Sequence, residues 1–234
     1  MWQIRKPRDE TTPEEVAERT EQDRKLMTVG DAAFQLGLHP PLTVTDVIAA
    51  GKRLDGELLR SIAATHPSGL KVIAAPREVM PLESMTSEQL IGIVDLATAE
   101  FGTVFVDLPM NWSNWSLSLL ARSDVVLLVT ELRVPSLHRA RRQLDLINSQ
   151  DMTQLDVRVI LNRTEKGMFK TIDVSDAERV LKRPIAFTIA NDHDTMTQAI
   201  DRGVPIAEVR RKTMLGKDIG VLDKGLAAAL GLEH

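Results

Sequence analysis

Five short apolar runs constrain this chain more than any other feature. They are 70–75 (LKVIAA), 103–107 (TVFVD), 124–130 (DVVLLVT), 157–162 (VRVILN) and 185–189 (IAFTI). Each is too short for a helix, and Pro76 and Pro109 stop the first two. None shows the strict polar–apolar alternation of a half-exposed strand, so as strands they would be covered on both faces. Stretches of helical length separate them. Strands of this kind, alternating with helices, build an α/β fold: three layers, with a mostly parallel β-sheet flanked by helices.

The intervening segments carry helix signals. Thr86 and Gln89 have capping-box spacing at the head of a helix expected over 86–99. Other helices are expected over 43–50, 55–65, 113–122, 135–148, 175–181, 193–202, 206–211 and 217–230. Residues 1–28 differ from the rest. They hold thirteen charged residues and few large apolar ones. Thr12-Pro13-Glu14-Glu15 reads as a helix start, with a capping hydroxyl, a proline at the first position and acids at the positive end of the dipole. That helix would run to about Met27. The stretch EEVAERTEQDRKLM is too polar for a central strand. The expected organisation is a charged segment over 1–28, helical or disordered, and one α/β domain over 29–231.

Composition narrows the class. With no cysteine there is no disulfide framework and no thiolate metal site. A net charge of −4 gives no sign of a nucleic-acid groove. No apolar run reaches the ~20 residues that span a bilayer, and the charged N-terminus has no signal-peptide core. The expectation is a soluble cytoplasmic protein.

In an open parallel sheet, ligands sit at the carboxyl ends of the strands. Asp107 ends the second run, the position from which phosphate-transfer enzymes hold magnesium. Asn162-Arg163 follows the fourth, and a side-chain amide there can pair with a base edge. Ala190-Asn191-Asp192 follows the fifth. Taken alone, Asp107 is more often a turn cap before Pro109, and Asn162 more often a turn residue. Trp112 and Trp115 stand close together in a chain with eight Phe and Trp and no Tyr. They serve either a partner surface or the core. The run His138–Arg142 is an anion-binding patch or, more commonly, a solvated helix face. His39, His66 and His193 lack metal-ligand spacing.

The order of these motifs, strand–Asp-Leu-Pro, DVVLLVTELRVPSL, VILNR and a strand followed by NDHD, resembles the MinD/ParA superfamily of P-loop ATPases. Two stretches narrow the resemblance to the CpaE/TadZ family of Flp (tight-adherence) pilus assembly proteins. They are GDAAFQLGLHPPLTVTDVIAAGKRLDGELLRSIAATHPSGLKVIAAP and FVDLPMNWSNWSLSLLARSDVVLLVTELRVPSLHRARRQLDLIN. The resemblance covers about residues 30–230. It implies that Gly30-Asp31 is the tail of the first switch and Asp107 the magnesium-side acid of the second. It also places Asn162 and Arg163 beside adenine, and Asn191 and Asp192 in the turn that closes over the base. Leu132–Pro135 matches a structural connection.

The family's phosphate loop, G-x-x-x-x-G-K-[ST], does not occur in the chain. The two Gly-Lys pairs, Gly51-Lys52-Arg53 and Gly216-Lys217-Asp218, lack both the hydroxyl and the upstream glycine. The expectation is a family domain whose first strand, phosphate loop, first helix and second strand are lost, leaving an exposed sheet edge beside 103–107. ATP and Mg2+ belong to the family, but no cofactor is expected here. The implied role is a localisation scaffold for pilus and secretion machinery at a cell pole near the inner membrane, without ATP hydrolysis. A homodimer is an expected partner and nucleic acid is not. The final helix mixes two Lys with two Asp, so membrane contact would be weak and peripheral. Two alternatives stay open: an ATP-dependent dimerisation switch, and an incomplete gene product. Leu232-Glu233-His234 reads either as native sequence or as a tag remnant.

Overall fold

In the computed structural model, which describes residues 2–5, 24–28, 32–76, 85–165 and 172–232, strand β5 (Thr103–Asp107) has a neighbour on each side. On one side lies β2 (Arg24–Thr28), parallel to it. On the other lies β1 (Trp2–Arg5), antiparallel to it. Beyond β2 come β4 (Lys71–Ile73), parallel, and β3 (Ala64–Thr65), antiparallel to β4. The order is therefore β3-β4-β2-β5-β1. These strands belong to the first of two units, Met1–Asp124 with Ile200–Pro205.

Three expectations are corrected here. The N-terminal helix does not extend to Met27, because Arg24–Thr28 is a strand in the middle of this sheet. Its short apolar run, Leu26-Met27, sits at the end of a long charged stretch that hides it in the sequence. Pairing on both sides overrides that local polarity. The rest of the expected helix, 12–23, lies outside the described residues. Residues 1–28 are not wholly helical or disordered either, since 2–5 and 24–28 are strands. Finally, β5 has no exposed edge, because β1 and β2 cover both sides of it.

The helices of this unit are α1 (Ala32–Gln35), α2 (Val44–Ala50), α3 (Gly56–Ile62), α4 (Ser87–Glu100) and α5 (Asn114–Leu120). Their starts follow the sequence. The Thr86 amide donates to Gln89 Oε1 (3.1 Å) and the Gln89 amide returns a bond to Thr86 Oγ1 (3.2 Å). Asp55 Oδ1 accepts from the Leu58 amide (2.8 Å), capping α3. That helix stops at Ile62, earlier than expected. The Pro67-Ser68-Gly69 turn folds residues 64–65 back as β3, with the His66 amide donating to Leu70 O (2.8 Å). Helix α4 buries Leu90, Ile93, Val94 and Ala97, one face at helical spacing, and packs against α5 and β5. Val104 and Val106 of β5 and Trp115, Leu119 and Leu120 of α5 complete this core.

Residues 200–205 close the same unit. Gly203 (φ 59°) lies directly on Gly37 (φ 65°). His66 is buried, and its Nδ1 accepts from the Ser68 amide (3.1 Å). The ring proton is therefore on Nε2, which donates to Gly203 O (3.3 Å).

The second unit is Val125–Ala199 with Ile206–His234. Its sheet is parallel, in the order β6 (Val125–Glu131), β7 (Asp156–Thr164) and β8 (Ile185–Ala190). Pairing of β6 with β7 runs in register from Val125↔Asp156 to Glu131↔Asn162. Helices α6 (Val134–Ser149), α7 (Val174–Leu181), α8 (His193–Arg202), α9 (Ile206–Val209) and α10 (Met214–Leu230) follow. Val125–Leu128, Val159–Leu161, Leu137, Leu144 and Ile147 form the core.

Three polar contacts fix the helices of this unit. Arg141 holds Asp145 through two bonds and donates from Nη1 to Leu181 O at the end of α7 (3.0 Å). Arg158 donates to Gly225 O (3.2 Å), and Asp218 Oδ2 accepts from the Ala190 amide (2.9 Å), both tying α10 to the sheet. At Gly225, α10 comes so close to Phe187 that an added Cβ would lie 2.5 Å from the ring.

Candidate functional site

Asp107 ends β5, half-buried, in the first unit. Across the ladders it lies opposite Trp2 and Thr28. Asp31 and Gly30, the first-switch residues of the resemblance, lie outside the described residues. The direction of β1 decides what this rim can hold. Trp2 is level with Asp107, and Arg5 is level with Val104. The chain thus leaves β1 at the amino end of β5, away from Asp107. Among the described residues no group of three His, Asp or Glu is placed to hold a metal ion. The loop after Asp107 exposes Met110 (59%) and leaves Trp112 half-buried, while Trp115 of α5 is buried (2%) in the core. The Trp112 Nε1–H is buried without an acceptor among the described residues.

The other four site residues are brought together in the second unit, at the carboxyl ends of β7 and β8. Asn162 Oδ1 accepts from the Arg163 amide (2.9 Å), and Arg163 takes a left-handed backbone (φ 53°) where the β7–β8 register shifts. The twist sends the Arg163 side chain to Glu131, with Nη1 donating to Oε1 (3.2 Å). Arg133 approaches the other oxygen of the same carboxylate (3.4 Å). The Asn191 amide donates to Thr164 O (2.9 Å), and its Nδ2 donates to Glu165 Oε1 (3.1 Å). Asp192 Oδ1 accepts from the Thr195 amide (3.1 Å), capping α8. Asn162, Arg163 and Asn191 are thus held in a network of backbone and carboxylate bonds, and Asp192 caps α8 beside it.

Sequence reasoning missed the two carboxylates that organise this network. Glu131 ends β6 as Asp107 ends β5, so the rule that found Asp107 applies equally to it. Glu165 gave no such signal, because it lies one residue past a strand that runs to Thr164, beyond the expected end at Asn162.

No family model and no curated protein matches the chain. Solved structures do. A ParA family ATPase from Chlorobium tepidum TLS superposes with a TM-score of 0.79 at 24% identity, over 90% of this chain and 87% of that one. MinD from Aquifex aeolicus, in a MinC:MinD cell division complex, gives 0.72 at 20% identity, over 91% and 86%. The septum site-determining protein MinD from Pyrococcus horikoshii OT3, complexed with Mg-ADP, gives 0.69 at 15% identity, over 92% and 89%. The fold class is therefore α/β, a three-layer arrangement with a mostly parallel sheet flanked by helices, matching the P-loop NTPase fold of these ParA and MinD proteins. The resemblance expected a lost strand immediately before Gly30-Asp31, and β2 stands at that place. Among the described residues no helix is long and apolar enough to cross a membrane.

Proposed function

We propose that this chain is a positioning scaffold on a P-loop NTPase fold, that it does not hydrolyse ATP, and that it serves pilus and secretion machinery at a cell pole, as the CpaE/TadZ resemblance implies. Support for the positioning role comes from its structural neighbours, a ParA family ATPase and MinD proteins of cell division and septum-site determination. Protein contacts, including a second copy, are the expected mode of action, since one neighbour is solved as a MinC:MinD complex.

The direction of β1 carries the non-hydrolysing part. A phosphate loop must leave its strand at the carboxyl end of the sheet, so that backbone N–H groups and a lysine meet the phosphates there. The residues that follow β1 start from the opposite end. The sequence has no G-x-x-x-x-G-K-[ST] to place elsewhere. In phosphoryl transfer, positioning and charge neutralisation are nearly the whole of catalysis. One half-buried carboxylate, Asp107, does not supply them. A triphosphate with magnesium therefore does not fit the groups that the described residues present, and no catalytic step is assigned to it.

Titration with a fluorescent ATP analogue and Mg2+ tests this reading. The expected result is no saturation in the micromolar range. Micromolar binding that disappears in Asp107→Ala would overturn the proposal and favour the ATP-dependent switch. A fluorescent fusion in the source cells should form a polar focus that disperses when the pilus machinery is deleted. A diffuse signal in cells with intact pili would remove the pilus role.

A further inference from the structure

Residues 210–224 present cations that the fold does not use. Arg210, Arg211, Lys212, Lys217 and Lys224 are all exposed. Among the described residues none of them meets a carboxylate, whereas Arg141, Arg158 and Arg163 of the same unit each hold one. The acids within the stretch do little to balance them. Asp218 is turned inward, its Oδ2 accepting from the Ala190 amide, which leaves Asp223. Met214 and Val221 stand exposed (46% and 55%) one heptad apart on α10, with Lys217 and Lys224 each three residues further on. Three of the cations directly precede Thr213, the N-cap of α10, where like charges meet the positive end of a helix dipole. Exposed like charges side by side, without a carboxylate partner among the described residues, are a local inconsistency of the sort found at binding surfaces.

An anionic occupant would relieve that repulsion. A lipid surface is a poor match, because the apolar stripe of α10 (Leu215, Leu226, Leu230) is already buried and the large apolar side chains it exposes are two, Met214 and Val221. Duplex nucleic acid is a poor match for a chain of net charge −4. A complementary ligand is encoded in the chain itself. Residues 9–23 (DETTPEEVAERTEQD) hold seven acids against one base, Arg19, a net charge of −7 + 1 = −6.

We propose that the 210–224 surface of one copy binds the acidic segment 9–23 of a second copy. The two surfaces differ, so the contact is head-to-tail and can extend into longer assemblies instead of closing as a symmetric dimer. It does not depend on nucleotide or on the pilus role.

Sedimentation velocity at 50 mM and 500 mM NaCl tests it, since screening shortens the reach of charge to below about 10 Å above 0.1 M salt. The expected result is assemblies larger than a monomer at low salt and monomers at high salt. Two charge-reversed variants sharpen the test: Arg210→Glu/Arg211→Glu/Lys212→Glu, and Glu14→Lys/Glu15→Lys/Glu18→Lys. Each alone should stay monomeric at low salt. Their equimolar mixture should associate again, because each reversed surface then faces an opposite charge. Unfolding cannot produce that rescue. A monomeric wild type at low salt, association equal at both salt concentrations, or a mixture that stays monomeric would each overturn the proposal.

Discussion

Trp2 lies opposite Asp107 across an antiparallel ladder, while Thr28 lies opposite the same Asp107 across a parallel one. The strand carrying the candidate acid therefore has neighbours of opposite direction on its two sides. Arg5 leaves the sheet level with Val104, and Arg24 enters it level with Thr103. Both points are at the amino end of β5. A parallel strand in the place of β1 would deliver the next residues beside Asp107; this one carries them away.

The register is open to chemical test because the chain has no cysteine of its own. Gln3 faces Val106 in the ladder. Gln3→Cys/Val106→Cys should oxidise to an intramolecular disulfide, since directly opposed residues lie within the Cα separation a disulfide needs. Gln3→Cys/Val104→Cys should not, because a diagonal two residues off is too long. Mobility on a non-reducing gel distinguishes the two. Cross-linking in the second variant and not in the first would overturn this pairing of β1 with β5.

Gly203 and Gly37 meet backbone to backbone. A Cβ on Gly203 would stand 2.7 Å from Gly37 Cα, and Gly203 also has φ 59°. Gly203→Ala combines a left-handed backbone with overpacking against a main chain that cannot rotate away. It should cost about 2–5 kcal/mol, the sum of the two usual penalties. Gly37→Ala, with its nearest contact at 3.2 Å, should cost less, about 1–2 kcal/mol. Urea denaturation of the two variants checks the ordering. Equal midpoints for Gly203→Ala and the wild type would show that residues 200–205 do not pack on Gly37.

The second unit was largely legible in the sequence. Strands β6 to β8 are short runs rich in Val, Leu and Ile, and the helices between them have a clear helical period, so each was expected within two residues. In the first unit, Thr86 and Gln89 cap their helix as their spacing implied. The N-terminal strands were not legible. Leu26-Met27 is two apolar residues at the end of a charged run, and only pairing with β4 and β5, far away in sequence, makes it a strand. The candidate site divides in the same way. Asp107, Asn162 and Asn191 were readable as polar residues at strand ends. Their partners were not, because Glu165 and Thr164 depend on β7 running on past Asn162 through a left-handed Arg163, and no local pattern announces that residue.

Arg141 links two helices and should show which of its partners matters. It is 25% exposed, and Asp145 is 52% exposed. The ion pair itself should therefore contribute little, and Asp145→Ala should cost no more than about 0.5–1 kcal/mol. The bond to Leu181 O supplies an acceptor-rich helix end with a charged donor. Arg141→Ala removes both and should cost about 1–2 kcal/mol. Arg141→Lys should recover only part of the loss, because an ammonium does not reproduce the guanidinium fork that reaches both partners. The urea midpoints should fall in the order wild type, Asp145→Ala, Arg141→Ala. A reversal of the last two would assign the stabilisation to the ion pair instead.

Asp218 Oδ2 accepts from the Ala190 amide, and Glu178 Oε1 accepts from the Ile185 amide (both 2.9 Å), so a carboxylate sits on each end of β8. Backbone donors left unpaired along a strand invite pairing with another chain. Asp218→Ala strands the Ala190 amide in a half-buried place, and should cost about 1–3 kcal/mol. Asp218→Asn keeps an acceptor oxygen and should cost less, with the loss limited to the charge assistance of the bond. Hydrogen exchange gives the local readout. The Ala190 amide should exchange faster in Asp218→Ala than in Asp218→Asn, while amides of β6 keep their wild-type protection. Faster exchange throughout β6 would mean that the substitution loosens the whole unit, and unchanged exchange at Ala190 would mean that the amide does not depend on Asp218.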